Sequence, residues 1–217
     1  MLIYKFQYSN MKWYDLFAGF YDNALEKLYF DGRKKAVDAL KVANGQTVLD
    51  VACGTGANFK HLFATGKTFQ LYATDFSAGM LKKAENRVQL AGYKNVRLLQ
   101  ADARTLSVET IEHYTGQPLT FDRILCVLGL SVIPDWEKVL DNLLGMLSGG
   151  GRLVVMDVFA EKQTFSTWLV ERIARADLSR PIAQRLKEKT DHFSLEYQPV
   201  KESKVGGRLF IAGGTKR

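Results

Sequence analysis

Val48-Leu49-Asp50-Val51-Ala52-Cys53-Gly54-Thr55-Gly56 decides how the chain is read. Val48, Leu49 and Val51 are the β-branched and apolar residues of a buried strand. Ala52 to Gly56 is a run of small residues, in which no bulky side chain keeps a ligand from the backbone. From Ala57 the pattern resumes at helical spacing, with Phe59, Leu62 and Phe63 on one face. The stretch predicts strand, tight glycine turn and helix, with backbone N–H groups turned towards a close ligand. Asp50 stands at the strand's end, where open parallel α/β sheets bind their ligands.

Upstream, Asp31 is placed to cap a helix reaching about Asn44, with Ala36, Val37 and Leu40 on its apolar side and Gly45 as its stop. Residues 1–30 are rich in aromatics and carry the pairs Tyr14-Asp15 and Tyr21-Asp22. Such a segment suits a helical cap over a ligand cleft, a surface that meets lipid, or padding on the sheet's flank. Tyr14 and Tyr21 are candidates for lining a cleft.

Downstream, strand and helix patterns alternate. Phe69–Asp75 reads as a second strand, and its terminal Asp75 lies 19 residues after Gly56. That is the spacing at which nucleotide folds set a carboxylate on ribose hydroxyls. Ser77 caps the next helix, which buries Met80, Ala84, Val88 and Ala91 and stops at Gly92. Residues 95–100 form a third strand, with Asp102 just beyond it, and a short helix and turn precede Pro118. Phe121–Val127 is a fourth strand. Asp135 opens a periodic helix bearing Trp136, Val139, Leu140, Leu143, Leu144 and Leu147, which Gly149–Gly151 should end. Arg152–Val158 is a continuous apolar run, hence a central strand. Phe165, Trp168, Leu169 and Ile173 then suggest a helix with a bulky apolar face, and Pro181 opens another at 180–189. Residues 193–200 and 208–212 close the chain as an antiparallel pair.

A chain of 217 residues with 47% hydrophobic content suits one α/β domain, and no internal repeat or linker divides it. No apolar run approaches the roughly 20 residues that span a bilayer, and the first residues show no secretory pattern. Cys53 and Cys126 read as reduced thiols of a cytosolic protein, and two cysteines do not make a zinc site. A charge of +7 fits either an anionic partner or a solvated basic surface.

Taken together, Asp50–Gly56, Thr74–Leu81, Gln100–Ala103 and Leu147–Val155 resemble the class I S-adenosylmethionine (SAM)-dependent methyltransferases. The resemblance covers about residues 30–160 and extends to the terminal hairpin. It implies a Rossmann-like, seven-stranded, mostly parallel sheet of order 3-2-1-4-5-7-6, with the last strand antiparallel and helices on both faces. Residues 1–217 would be one domain, with 1–45 an N-terminal helical cap inside it. SAM is the implied cofactor. Ala52, Cys53, Gly54 and Gly56 would line its methionine end with Asp50 beside them, and Asp75 would take both ribose hydroxyls. Phe76 and Met80 would pack on the adenine, Asp102 would accept from its amino group beside the Ala103 N–H, and the Leu128 carbonyl would lie near the SAM amino group. Ala52 stands where many members have glycine. Cys53 reads as a packing residue.

The acceptor side is less legible. Many relatives carry histidines near Ser131 and Val132, and this chain has none there. His61 and His113 read as surface residues, and His192 as a side chain able to reach the cleft. The stretch after the fourth strand also lacks the Asn/Asp-Pro-Pro-aromatic signature of enzymes that methylate base amino groups. Within the superfamily, the early Tyr-Asp pairs and residues 125–158 look like quinone-biosynthesis methyltransferases. Asp177–Pro181 and Gly206–Gly213 look like small bacterial phospholipid N-methyltransferases. Both resemblances imply a small or lipid-like acceptor and a cytoplasmic enzyme in peripheral contact with an anionic membrane. The alternatives are an RNA methyltransferase using the basic surface and a non-catalytic SAM-binding module. A nucleotide-dependent oxidoreductase fits less well, because the loop lacks full Gly-x-Gly-x-x-Gly spacing.

Overall fold

The computed structural model describes residues 26–116 and 119–217. The elements run α1 (Phe30–Leu40), β1 (Gln46–Val51), α2 (Phe59–Phe63), β2 (Phe69–Asp75), α3 (Ala78–Ala91), β3 (Val96–Gln100), α4 (Val108–Thr115) and β4 (Phe121–Val127). They continue as α5 (Trp136–Met146), β5 (Leu147–Phe159), α6 (Phe165–Ala174), α7 (Ile182–Lys189), β6 (Thr190–Tyr197), α8 (Glu202–Val205) and β7 (Arg208–Lys216). The strands form one sheet of order β3-β2-β1-β4-β5-β7-β6, as the resemblance implies. β3, β2, β1, β4 and β5 pair in parallel, whereas β7 is antiparallel to β5 and to β6.

Successive strand residues face opposite sides, and both sides are covered. Val48, Leu71, Leu125, Val154 and Met156 pack with α1, α2 and α3, while Leu49, Val51, Ile124, Leu153 and Val155 pack with α4, α5 and α7. Parallel strands buried on both faces account for the near-continuous apolar runs in the sequence. In α1, Val37 and Leu40 are fully buried, each contributing roughly 1.5–3 kcal/mol. Gly32 lets α1 come close to β5, because a Cβ there would lie 3.0 Å from Met156 Sδ.

Several expected details differ. Asp31 does not cap α1. Tyr29 holds that position without a side-chain capping bond, and the helix ends at Lys41, whose φ is 55°, not at Asn44–Gly45. Residues 30–40 pack on β4, β5 and β7. The rest of the expected N-terminal cap, with Tyr14 and Tyr21, lies outside the described residues, as does Pro118. Ala91 is exposed at the end of α3, although Ser77 caps that helix and Gly92 closes it as expected. Gly149–Gly151 do not terminate α5. β5 begins at Leu147, and the glycines form a bulge between the pairs Phe121–Leu147 and Arg123–Arg152. A Cβ at Gly151 would sit 2.9 Å from the Ser148 carbonyl, so the bulge requires glycine.

Candidate active site

β1, β2, β4 and β5 all end at one edge of the sheet, because parallel strands share a direction. Asp50, next to last in β1, is fully buried there. Asn58 Nδ2 donates to both its carboxylate oxygens, at 3.0 and 3.1 Å. Asn58 Oδ1 in turn accepts from Arg33 Nη1 at 2.6 Å. Burial pushes the Asp50 carboxyl up to about 7; the Asn58 bond and the Arg33 charge oppose the rise, and the Asp75 charge adds to it. Asn58 stands at the N-cap of α2 but makes no capping bond, since its side chain serves Asp50.

The turn that follows winds through left-handed backbone. Ala52 has φ 52°, Gly54 57° and Gly56 79°. Among the described residues, a Cβ on Gly54 would meet nothing within 4 Å. A Cβ on Gly56 would lie 2.5 Å from the Phe59 ring, so glycine is needed there on two counts. The Cys53 N–H donates to the Thr74 carbonyl at 2.9 Å, joining the loop to β2. Its thiol is buried, and burial beside Asp75 and Asp50 raises its pKa well above the ordinary range, which keeps it protonated.

Asp75 ends β2. Its Oδ2 accepts the Gly54 N–H at 2.8 Å, and its Oδ1 accepts the Ser77 N–H at 2.9 Å. A carboxylate has about four lone-pair sites, so one group at this position can serve several donors at once. Phe76 beside it is 40% exposed, and Met80 is buried in the first turn of α3. Asp102, beyond β3, is more committed. Arg104 reaches its carboxylate through Nε at 3.0 Å to both oxygens, through Nη2 at 2.5 Å and through the backbone N–H at 2.9 Å. Despite partial burial, those bonds and the Arg104 charge hold its pKa below the ordinary carboxylate value. Ala103 is buried next to it.

Leu128 leaves β4 with φ 56°, rare for a branched residue, and its N–H donates to the Met156 carbonyl at 2.7 Å. Gly129 passes close to the glycine loop, since a Cβ there would lie 3.1 Å from the Ala52 Cβ and 2.8 Å from Cys126 Sγ. The loop over Leu128–Ile133 is pinned from three sides. Asp157, fully buried on β5, accepts the Ser131 N–H at 3.0 Å, and burial raises its pKa. The Asp177 N–H donates to the Ser131 carbonyl at 2.8 Å. Arg180 Nη1 donates to the carbonyls of Leu130 and Ile133, at 2.5 and 2.7 Å, while its Nε faces Asp177 Oδ2 at 3.3 Å.

The edge thus gathers Asp50, Ala52–Gly56, Asp75, Phe76, Met80, Asp102, Ala103 and Leu128. It does not gather the histidines. His192 has φ 47° in β6, and its carbonyl faces Arg152 Nη1 at 3.5 Å, near the start of β5. That is the opposite end of the sheet, so His192 does not reach the cleft. His61 is buried rather than on the surface, with its ring edge-on to Phe30 at 4.8 Å. Burial and the charges of Lys60 and Arg33 lower its pKa to about 4. His113 is exposed on α4. Asn58, Arg33, Arg104 and Asp157 were not legible as site residues. Each acts through a partner distant in sequence or is one charged residue among many.

An open glycine turn, a strand-end carboxylate bonded to that turn and a half-exposed aromatic beside it fit the SAM that the resemblance implies. Sheet order and site together define a class I SAM-dependent methyltransferase, whose cofactor is S-adenosyl-L-methionine. The chain belongs to the ubiE/COQ5 methyltransferase family, whose sequence profile matches residues 12–173. It is similar to the demethylmenaquinone methyltransferase of Anoxybacillus flavithermus, 30% identical over 126 residues, 58% of this chain and 50% of the relative. That of Desulfitobacterium hafniense is 32% identical over 128 residues, 58% of this chain and 47% of the relative. The matched part of the chain spans about half the length of these curated relatives. Among solved structures, Haemonchus contortus phosphoethanolamine N-methyltransferase 2 in complex with S-adenosyl-L-methionine superposes with a TM-score of 0.69. That match covers 92% of this chain and 60% of the other at 15% identity, a likeness of fold.

Proposed function

We propose that this chain is an enzyme that transfers a methyl group from SAM to a small apolar acceptor of the quinone-precursor class. The observation that carries this reading is the wall Leu128–Ile133. It is apolar apart from Ser131, which is buried against Asp157, and it is held rigid by Asp157, Asp177 and Arg180. The demethylmenaquinone methyltransferase relatives support the acceptor class.

SAM supplies a methyl group already activated by a sulfonium. The chain's own residues bind and orient. Asp75, at the end of β2 beside the glycine loop, would accept from the ribose hydroxyls. Ala52–Gly56 let the backbone come close to the methionine end, beside Asp50. Phe76 and Met80 give the adenine an apolar surface, next to Ala103. Asp102 reaches the adenine amino group only by sharing its carboxylate with Arg104. The Leu128 carbonyl would take the methionine amine. The wall contributes alignment and exclusion of water, which carry much of the rate in a displacement on an activated carbon. With no ionisable side chain in Leu128–Ile133, proton removal from the acceptor is not its task.

An acceptor of this class is lipid-like, and the proposal includes peripheral contact with an anionic membrane. Among the described residues no helix is long and apolar enough to cross one. The test is S-adenosylhomocysteine production from SAM with a short-chain demethylated quinol, with phosphatidylethanolamine and with an RNA transcript. Turnover with the quinol supports the reading. Turnover confined to the lipid amine or the RNA replaces the acceptor, and SAM binding without turnover on any of them makes the chain a binding module.

A further inference from the structure

Helix α6 is docked the wrong way round for a soluble protein. Phe165, Trp168, Leu169 and Ile173 fall at i, i+3, i+4 and i+8 and so share one face. That face is turned outward, with the four residues 77%, 50%, 40% and 43% exposed. The side turned inward is mixed: Val170 packs against the core, and the rest of the anchoring is polar. Thr167 is buried and its hydroxyl donates to the Gly206 carbonyl at 2.8 Å. Glu171 Oε1 accepts the Leu178 N–H at 3.0 Å, and its Oε2 accepts from Gln163 at 2.8 Å. The Thr164 side chain caps the helix by accepting the Thr167 N–H at 3.1 Å. These bonds prevent the helix from rolling to bury its apolar side. Water-soluble surfaces rarely present such a patch without a partner.

Cations frame the patch. Arg172, at i+7 from Phe165, rises through the middle of the apolar face, and Arg175 and Lys162 are exposed at its two ends. Glu161, the nearby acid, faces Arg208 at 3.9 Å. Long cationic side chains among Trp, Phe and Leu suit the boundary between acyl chains and anionic headgroups. The whole chain, at +7, is attracted to the same surface. The helix also lies beside the cleft. The turns flanking it are tied to the edge by the Ala160 N–H on the Leu178 carbonyl and by the Asp177 N–H on the Ser131 carbonyl, both at 2.8 Å.

We infer that the outer face of α6 is the surface by which this protein docks on an anionic lipid bilayer, with Phe165, Trp168 and Leu169 inserted at the headgroup boundary and Arg172 on the lipid phosphates. This rests on the membrane contact proposed above and names the element that makes it. Docking there brings the wall Leu128–Ile133 next to the bilayer from which a lipid-like acceptor would come.

The test is co-flotation of the full chain with phosphatidylcholine vesicles and with phosphatidylcholine–phosphatidylglycerol vesicles. It is run alongside Trp168 emission, isolated by subtracting the spectrum of Trp168→Phe. The expected result is binding to the anionic vesicles only, weakened by high salt, with a blue shift of Trp168. Phe165→Ser combined with Trp168→Ser should lower partitioning about tenfold or more, as expected for removing two inserted aromatics. Arg172→Glu, an exposed change that spares the core, should lower it several-fold while leaving SAM binding intact. A wild-type chain that ignores anionic vesicles would overturn both the membrane contact and this assignment. Wild-type binding that survives both variants would leave the membrane contact standing and overturn α6 as its site. Trp168 emission already blue before lipid is added would show the face covered by another part of the chain or a second copy, and would also overturn the inference.

Discussion

Asp75 joins two ligand-binding elements through one carboxylate, with Oδ2 accepting the Gly54 N–H at 2.8 Å and Oδ1 the Ser77 N–H at 2.9 Å. The same group that the proposal sets on the ribose also holds the glycine loop against the start of α3. Asp75→Ala should therefore weaken SAM binding by roughly 1–3 kcal/mol and lower the melting temperature as well, since buried donors lose an acceptor. Calorimetric titration with SAM checks the first effect. An unchanged dissociation constant would remove Asp75 from the site.

Ala52 carries a Cβ at φ 52°, a conformation that costs an L-residue roughly 1 kcal/mol relative to glycine. Ala52→Gly should raise stability by somewhat less than that, because glycine also loosens the unfolded chain. For a chain of this size the melting temperature would rise by roughly 1–3 °C. A lower melting temperature would mean that the Ala52 methyl group has packing value greater than its strain.

Asp50 makes stability depend on pH in a direction unusual for a carboxylate. Its folded value of about 7 lies above the ordinary 3.8, so between those values the folded state keeps a proton that the unfolded state has lost. The contribution from Asp50 is then present below about pH 4, falls as pH rises and levels off above about 7. His61, lowered to about 4, acts in the opposite sense and adds stability as pH rises from about 4 to 6.5. The test is therefore a difference. Denaturation midpoints of Asp50→Asn and wild type, measured from pH 4 to 8, should converge at the acid end and separate in favour of the variant at the alkaline end. Parallel curves would mean that Asp50 is ionised throughout.

Arg104 competes for the carboxylate that the proposal offers to adenine. Arg104→Gln should leave Asp102 freer and strengthen SAM binding by about 0.5–1.5 kcal/mol, one hydrogen bond's worth. Affinity that stays the same would assign Asp102 to holding its own loop and leave the adenine to Phe76, Met80 and Ala103.

The sheet was legible because a buried parallel strand has a distinctive composition. Val48–Val51, Phe121–Val127 and Arg152–Val158 announce themselves as strands, and Gly54 and Gly56 mark the turn whose φ values require them. The place of Asp75 at the end of β2 was legible from the apolar run before it. The chain could not show that Gly149–Gly151 bulge a strand, because three glycines end a helix as readily as they bend a β-ladder. Nor could it show that His61 is buried or that His192 sits at the far end of the sheet, since a histidine carries no signal of which way its strand runs. Asp157 and Arg180 acquire meaning only when the fold brings them to the Leu128–Ile133 loop. The spacing of Phe165, Trp168, Leu169 and Ile173 gave a helix with an apolar face, but only the packing of Thr167 and Glu171 reveals that this face points outward.

The central claim is that the edge built from Asp50, Ala52–Gly56 and Asp75 holds SAM, and titration calorimetry of the folded chain tests it most directly. The account predicts one saturable site per chain, competed by S-adenosylhomocysteine and weakened by Asp75→Ala. A folded, monodisperse sample that shows no saturable heat with SAM would contradict it.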